Sequence, residues 1–118
     1  MKVRADVVKR DAVLVKARAF IEREYRRSPD MHEVARVAGL SPYHFHRRFR
    51  RKYGKTPKQI VQELRIAELK RLIRGGMRLD EAACTVGFSQ QSHMTSIFKR
   101  LVGVTPARWG ARYRRMRP

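Results

Sequence analysis

The sequence predicts an all-α protein with two helix-turn-helix subdomains flanking a long central helix. Three observations predict it. Apolar residues recur at helical spacing and nowhere alternate as in a strand, while Pro and Gly fall between the periodic segments. One frame occurs twice. Glu33, Ala35, Gly39 and Ser41 return 48 positions on as Glu81, Ala83, Gly87 and Ser89, and Phe49, Gly54, Thr56 and Pro57 return 49 positions on as Phe98, Gly103, Thr105 and Pro106. Between the copies, the stretch from Thr56-Pro57 to Gly75-Gly76 carries no breaker and suits one helix.

The elements follow in order. A first helix is predicted over about residues 8–27, with Leu14, Ala17, Ile21 and Tyr25 along one face. Ser28-Pro29-Asp30 ends it, and Asp30 is placed to cap a short second helix to Ala38. Gly39, like Gly87 in the second copy, supplies the positive φ of a tight inter-helix turn. Leu40 and Phe88 bury just after those turns, and Ala35 and Ala83 are small where two helices cross. Ser41 caps the third helix, with Pro42 at its first position, where a missing N–H costs least. Gly54 closes it. Thr56-Pro57 opens the central helix, about 17 residues to Arg74 and roughly 25 Å long. A short helix from about Leu79 to Val86 follows, then the turn Gly87-Phe88. Ser89 is expected to cap the next helix, to about Val102, with the extra residue of the second copy near the start of that helix. Thr105-Pro106 opens a last helix through Trp109 and Tyr113. These seven helices divide as residues 1–57, the N-terminal subdomain, 58–75, the central linker helix, and 76–118, the C-terminal subdomain.

Charge narrows the function. The 118 residues carry a net charge of +19, with 42% hydrophobic residues, so the chain has material for a core and strong attraction to a polyanion. Nucleic acid is the foremost such partner. No stretch approaches the roughly 20 apolar residues of a membrane span, and MKVRADVVKRDAV lacks the apolar core of a secretory signal. A cytoplasmic location, at the nucleoid, is the expectation, with no membrane partner. The lone Cys84, in the stretch Ala82-Ala83-Cys84-Thr85-Val86, is read as a small buried filler. The charge is clustered: residues 1–30 mix nine Lys/Arg with five acids, whereas residues 41–57 hold six and residues 107–118 five, both without an acid.

In DNA-binding helix-turn-helix units the second helix enters the major groove with its N-terminal part against the bases. A projection at about 100° per residue turns Phe45 and Phe49 inward and Tyr43, Arg47 and Arg50 outward, with His46 on the flank. In the second copy it turns Met94, Ile97, Phe98 and Leu101 inward and Ser92, Ser96 and Lys99 outward. Thr95 lies on the flank and Gln91 near the helix start.

Three segments, IEREYRRSPDMHEVARVAGLSPYHFHRRFRRKYGKTP, LRIAELKRLI and EAACTVGFSQQSHMTSIFKRLVGVTPARW, resemble the DNA-binding domain of AraC/XylS-type bacterial transcription regulators. The resemblance covers about residues 14–113, and the last segment is the most specific. It implies two recognition helices in successive major grooves on one face of the DNA, and it leans towards activation of transcription. It also implies base contacts by Tyr43, His46 and Arg47 from the first recognition helix and by Gln91, Ser92, Thr95 and Ser96 from the second. Ser96 departs from the Arg often found at its position, Met94 from an aromatic residue or Leu, and Leu69 from a small Ala.

The side chains suit such roles unequally. Arg47 can donate twice to guanine O6 and N7, and Gln91 can pair with adenine N6 and N7. Tyr43 can pack on a thymine methyl or a sugar, and His46 can meet a purine N7. Ser92, Thr95 and Ser96 are short and suit phosphate or water-mediated contacts. Arg50, Arg51, Lys52, Lys55, Lys99 and Arg100, with the helix-start serines Ser41 and Ser89, are candidates for phosphate contacts. The Arg-rich end after Trp109 reads as a solvated helix end, with a phosphate or RNA polymerase contact as the sharper alternative.

Other chemistry finds little footing. His44 and His46 point about 200° apart on a helix, and His32 and His93 lie in separate segments, so no metal site is expected. No nucleophile elbow or Gly-rich phosphate loop appears, so neither an enzyme nor a cofactor is expected. A non-specific nucleic-acid-coating protein is the competing reading, since charge alone supports it equally well. The central helix suits two recognition helices about one DNA turn apart, roughly 34 Å, so one monomer is expected to read an asymmetric double-stranded site.

Overall fold

The computed structural model describes the backbone of residues 2–116 and the side chains of residues 11–114. The described residues form seven α-helices: α1 Lys2–Glu24, α2 Met31–Ala38, α3 Pro42–Tyr53, α4 Pro57–Arg74, α5 Leu79–Thr85, α6 Gln91–Val102 and α7 Pro106–Met116. A 3₁₀ turn, Tyr25–Arg27, extends α1, and the described residues hold no strand. Two units divide the chain, residues 1–61 and 62–118, with the division inside α4.

In the first unit, α1, α2 and α3 pack together. Leu14, Ala17 and Ile21 of α1, Val34, Ala35 and Ala38 of α2, and Phe45 and Phe49 of α3 are buried. The predicted caps are in place. Asp30 accepts from the His32 N–H at 2.9 Å, and Ser41 Oγ accepts from the His44 N–H at 3.3 Å. Thr56 and Gln59 form a reciprocal capping box at the start of α4: Thr56 N–H donates to Gln59 Oε1 at 2.8 Å and Gln59 N–H donates to Thr56 Oγ1 at 3.1 Å. Arg27 ties the end of α1 to α2 by donating to Glu24 and to Glu33. Those bonds hold the Glu33 carboxyl below its ordinary pKa.

In the second unit, one cluster joins Ile66 and Leu69 of α4, Ala82 and Ala83 of α5, Val86 and Phe88 after it, and Met94, Ile97 and Phe98 of α6. Leu69, large where its resemblance implies Ala, is fully buried there. Thr105 caps α7, its Oγ1 accepting from the Arg108 N–H at 3.3 Å.

The repeat has a physical meaning. Leu40 N–H donates to the Ala35 carbonyl and Gly39 N–H to that of Arg36; Phe88 N–H donates to Ala83 and Gly87 N–H to Cys84. Both pairs are the same helix-closing motif, which needs a positive φ at Gly39 (68°) and Gly87 (105°).

Several expectations are corrected. The first helix starts at Lys2, not residue 8, because nothing in that stretch breaks a helix; its α-form ends at Glu24. Tyr25, expected on its buried face, is half-buried. Ser89 does not cap α6: the capping position is Gln90, without a side-chain cap bond, and the extra residue falls in the turn before the helix. Leu101 is 42% exposed. Val102, one turn after Phe98, continues the inward face of α6 instead. Cys84 is exposed, since Ala82, Ala83 and Val86 are buried and the two positions between them, Cys84 and Thr85, point the other way. Leu40, expected to bury after its turn, is half-buried.

Candidate nucleic-acid interface

The outer face of α3 is fixed by its inner one. Phe45 and Phe49 are at most 1% exposed, with ring centroids 5.4 Å apart, and this pins the rotation of the helix. Tyr43 is then 68% exposed, a large aromatic held in solvent. Tyr43, His46, Arg47, Arg50 and Arg51 line one open hollow on this face. His44, Arg47, Arg48 and Arg51 line a smaller one beside it. Arg47 and Arg51 therefore form the ridge between two basic hollows.

No carboxylate pairs with Arg47, Arg48, Arg50 or Arg51 among the described residues. Arg50 and Arg51 stand in the last turn of α3 with Lys52, where the helix dipole favours cations. Such unneutralised like charges repel one another, and an incoming polyanion relieves that repulsion. Lys52 differs: its Nζ lies 3.5 Å from Asp11 of α1 and 5.6 Å from the Tyr53 ring. Lys55 is exposed in the turn after α3, and Ser41 is committed to its capping bond.

The second unit presents a different face. Met94, Ile97 and Phe98 are buried, so Gln91, Ser92, Ser96 and Lys99 are exposed, with Thr95 half-buried beside them. Ser89 is exposed in the preceding turn. Arg100 reaches back to α4, where its Nη2 donates to Gln62 Oε1 at 2.6 Å. Thus part of its donor set serves the fold.

Sequence reasoning passed over three residues near these faces. Arg48 and His44 extend the basic surface of α3 to its second flank, as the charge run itself signalled. Arg65 is 8% exposed and lies with its guanidinium 5.4 Å from the Phe88 ring, against the turn that leads into α6. Burial lowers its pKa. Nothing in the spacing of α4 singles it out.

Two helix-turn-helix units, one with a cationic and one with a hydroxyl-rich outer face, define a helix-turn-helix protein of the two-subdomain kind. A family model described as "Helix-turn-helix domain" matches residues 34–112. The transcriptional regulator YbfI of Bacillus subtilis is 39% identical over 75 residues, 64% of this chain and 27% of its own length. AdaA of Bacillus subtilis, a bifunctional transcriptional activator and DNA repair enzyme, is 30% identical over 91 residues, 76% of this chain and 43% of its own. The crystal structure of the DNA-binding domain of AdpA, a global transcriptional factor in complex with a target DNA, is similar at a TM-score of 0.82 and 30% identity, covering 89% of this chain and 96% of that one. The chain belongs to the AraC/XylS family of helix-turn-helix transcription regulators. It spans less than half the length of these two Bacillus subtilis relatives. Among the described residues no helix is long and apolar enough to cross a membrane, and no cluster of His, Cys, Asp and Glu could hold a metal ion.

Proposed function

We propose that this chain binds double-stranded DNA in a sequence-specific manner, as a monomer, with α3 and α6 in successive major grooves, and activates transcription. The observation that carries the reading is the outer face of α3: Tyr43, His46, Arg47 and Arg50 around one hollow, with no acid among the described residues to neutralise them. Arg47 and His46 supply hydrogen bonds to base edges, Tyr43 an apolar contact, and Arg50 and Arg51 a hold on phosphate. Gln91, Ser92, Thr95 and Ser96 meet the second groove with shorter reach, and Lys99 adds charge beside them.

The relatives support the two finer parts. The AdpA domain, which this chain matches over most of its length, is a domain with a target DNA. AdaA is named as an activator. RNA polymerase is the partner that activation would require. Helix α4 is one run of 18 residues, about 27 Å at 1.5 Å per residue.

Selection of binding sites from random duplex DNA tests the reading. The expected result is an asymmetric site with one strong and one weaker half. The selected duplex should then outcompete a scrambled one at physiological salt. Equal affinity and equal salt dependence for both would leave only a non-specific coating protein.

A further inference from the structure

The second unit holds a cluster of cations and aromatic rings that the proposed DNA contacts do not use. Trp109 and Tyr113 of α7 stack with their planes 9° apart and centroids 6.1 Å apart. The Arg74 guanidinium lies 5.2 Å from the Trp109 ring and 5.9 Å from that of Tyr113, and Lys70 Nζ lies 5.7 Å from Trp109. None of Lys70, Arg74 and Arg114 has a carboxylate partner among the described residues. A small cleft of about 90 Å³ opens beside the stack, lined by Ile73, Arg74, Met77, Gly110, Tyr113 and Arg114.

The geometry points to a docking site for an acidic protein segment. The two rings flank the Arg74 guanidinium, and a cation on an aromatic surface still has N–H groups to donate to an anion. Arg114 places a second cation at the rim, so the charge of the site complements a carboxylate. Ile73 and Met77 give one part of the cleft an apolar lining beside its polar part, and its volume suits one small apolar side chain next to that carboxylate. A phosphate backbone offers no such apolar group. Trp109 meets α6 through Phe98, a buried residue, with centroids 6.0 Å apart. The stack therefore lies behind α6, away from the face that carries Ser92 and Ser96. A segment bound there leaves that face open to a second partner.

Trp109 is the only tryptophan of the chain, so its emission reports on the site directly. The probe is a short synthetic peptide with one Leu between aspartates, titrated into the full chain, with its asparagine counterpart as control. The acidic peptide should change Trp109 emission saturably, and the asparagine peptide should not. Arg74→Gln and Arg114→Gln should each weaken the acidic peptide about tenfold or more, the loss of one charge-assisted hydrogen bond. Arg114 is exposed, so its variant keeps the test valid if Arg74→Gln melts early. A duplex carrying the selected site, added to saturation, should leave the peptide bound. Equal responses to both peptides, or unchanged affinity in Arg114→Gln, would reduce the effect to general attraction by a cationic chain and overturn the proposal. Displacement of the peptide by duplex would make the stack a phosphate contact and overturn it equally.

Discussion

Arg47→Ala separates base reading from simple attraction. Arg47 is exposed on α3, lines both hollows, and has no carboxylate partner among the described residues. Its removal breaks no ion pair and relieves repulsion from neighbouring arginines, so folding stability should move by no more than about 0.5 kcal/mol. A side chain donating twice to guanine contributes about 1–3 kcal/mol of discrimination. Binding to the selected duplex should therefore weaken by about 5- to 150-fold. The loss should be confined to one base pair: duplexes altered there should bind the variant as well as the parent duplex does.

The assay is fluorescence anisotropy with the selected duplex and the three alternatives at each position, repeated over a range of salt. A base contact predicts relaxed choice at one position. A phosphate contact predicts the same loss on every duplex and a salt slope smaller by about one. The second pattern would refute the assignment of Arg47 to a base. Ser96→Ala, at the equivalent position of α6, should cost about 1 kcal/mol or less, because its short hydroxyl has one proton to donate where arginine presents a fork of five. Equal losses from the two changes would refute the asymmetry between the two faces.

Other expectations concern the scaffold. Phe98 is fully buried between the core cluster and Trp109, so Phe98→Ala should cost about 3–5 kcal/mol, seen as a lower urea midpoint and faster hydrogen exchange in residues 62–118. Gly54 ends α3 at a φ of 71° with open space where a Cβ would stand, so Gly54→Ala should cost about 1 kcal/mol in backbone strain alone, and Gly54→Asn less. Glu33 has its carboxyl pKa lowered by Arg27, so its contribution is present above the unfolded glutamate value of about 4.3 and is lost as pH falls through the lower folded value. Glu33→Gln should flatten that acid limb of stability, measured as urea midpoints at neutral and acid pH; an unchanged limb would show that the pair contributes nothing.

Much of the scaffold was legible because its signals are local. Asp30, Ser41, Gly54 and Thr56 each mark a helix boundary through bonds within a few residues. Phe45, Phe49, Met94 and Phe98 follow from periodicity alone. The outer faces were legible for the same reason, since fixing the buried positions fixes the exposed ones. What escaped depends on partners distant in the chain. Arg65 reaches Phe88, and Arg100 reaches Gln62, and no spacing rule connects those positions. Cys84 and Leu101 misled because hydrophobicity alone does not tell which side of a helix meets the core.

The shift in the repeat shows how packing decides between two sequence alignments. At an offset of 48, Ser41 matches Ser89, and Phe45 would match His93, which is exposed. At an offset of 49, Ser41 matches Gln90, and Phe45 and Phe49 match Met94 and Phe98, all four buried. The core enforces the second choice for the helices, while the closing bonds of Gly39 and Gly87 enforce the first for the turns. Only one extra residue between Gly87 and Gln90 satisfies both. The cost is the side-chain cap, absent at Gln90. The gain is register: Tyr43, His46, Arg47 and Arg50 correspond to Ser92, Thr95, Ser96 and Lys99, so both helices turn equivalent positions outward. The two faces therefore differ in chemistry and not in geometry, and exchanging side chains at those positions should exchange their behaviour.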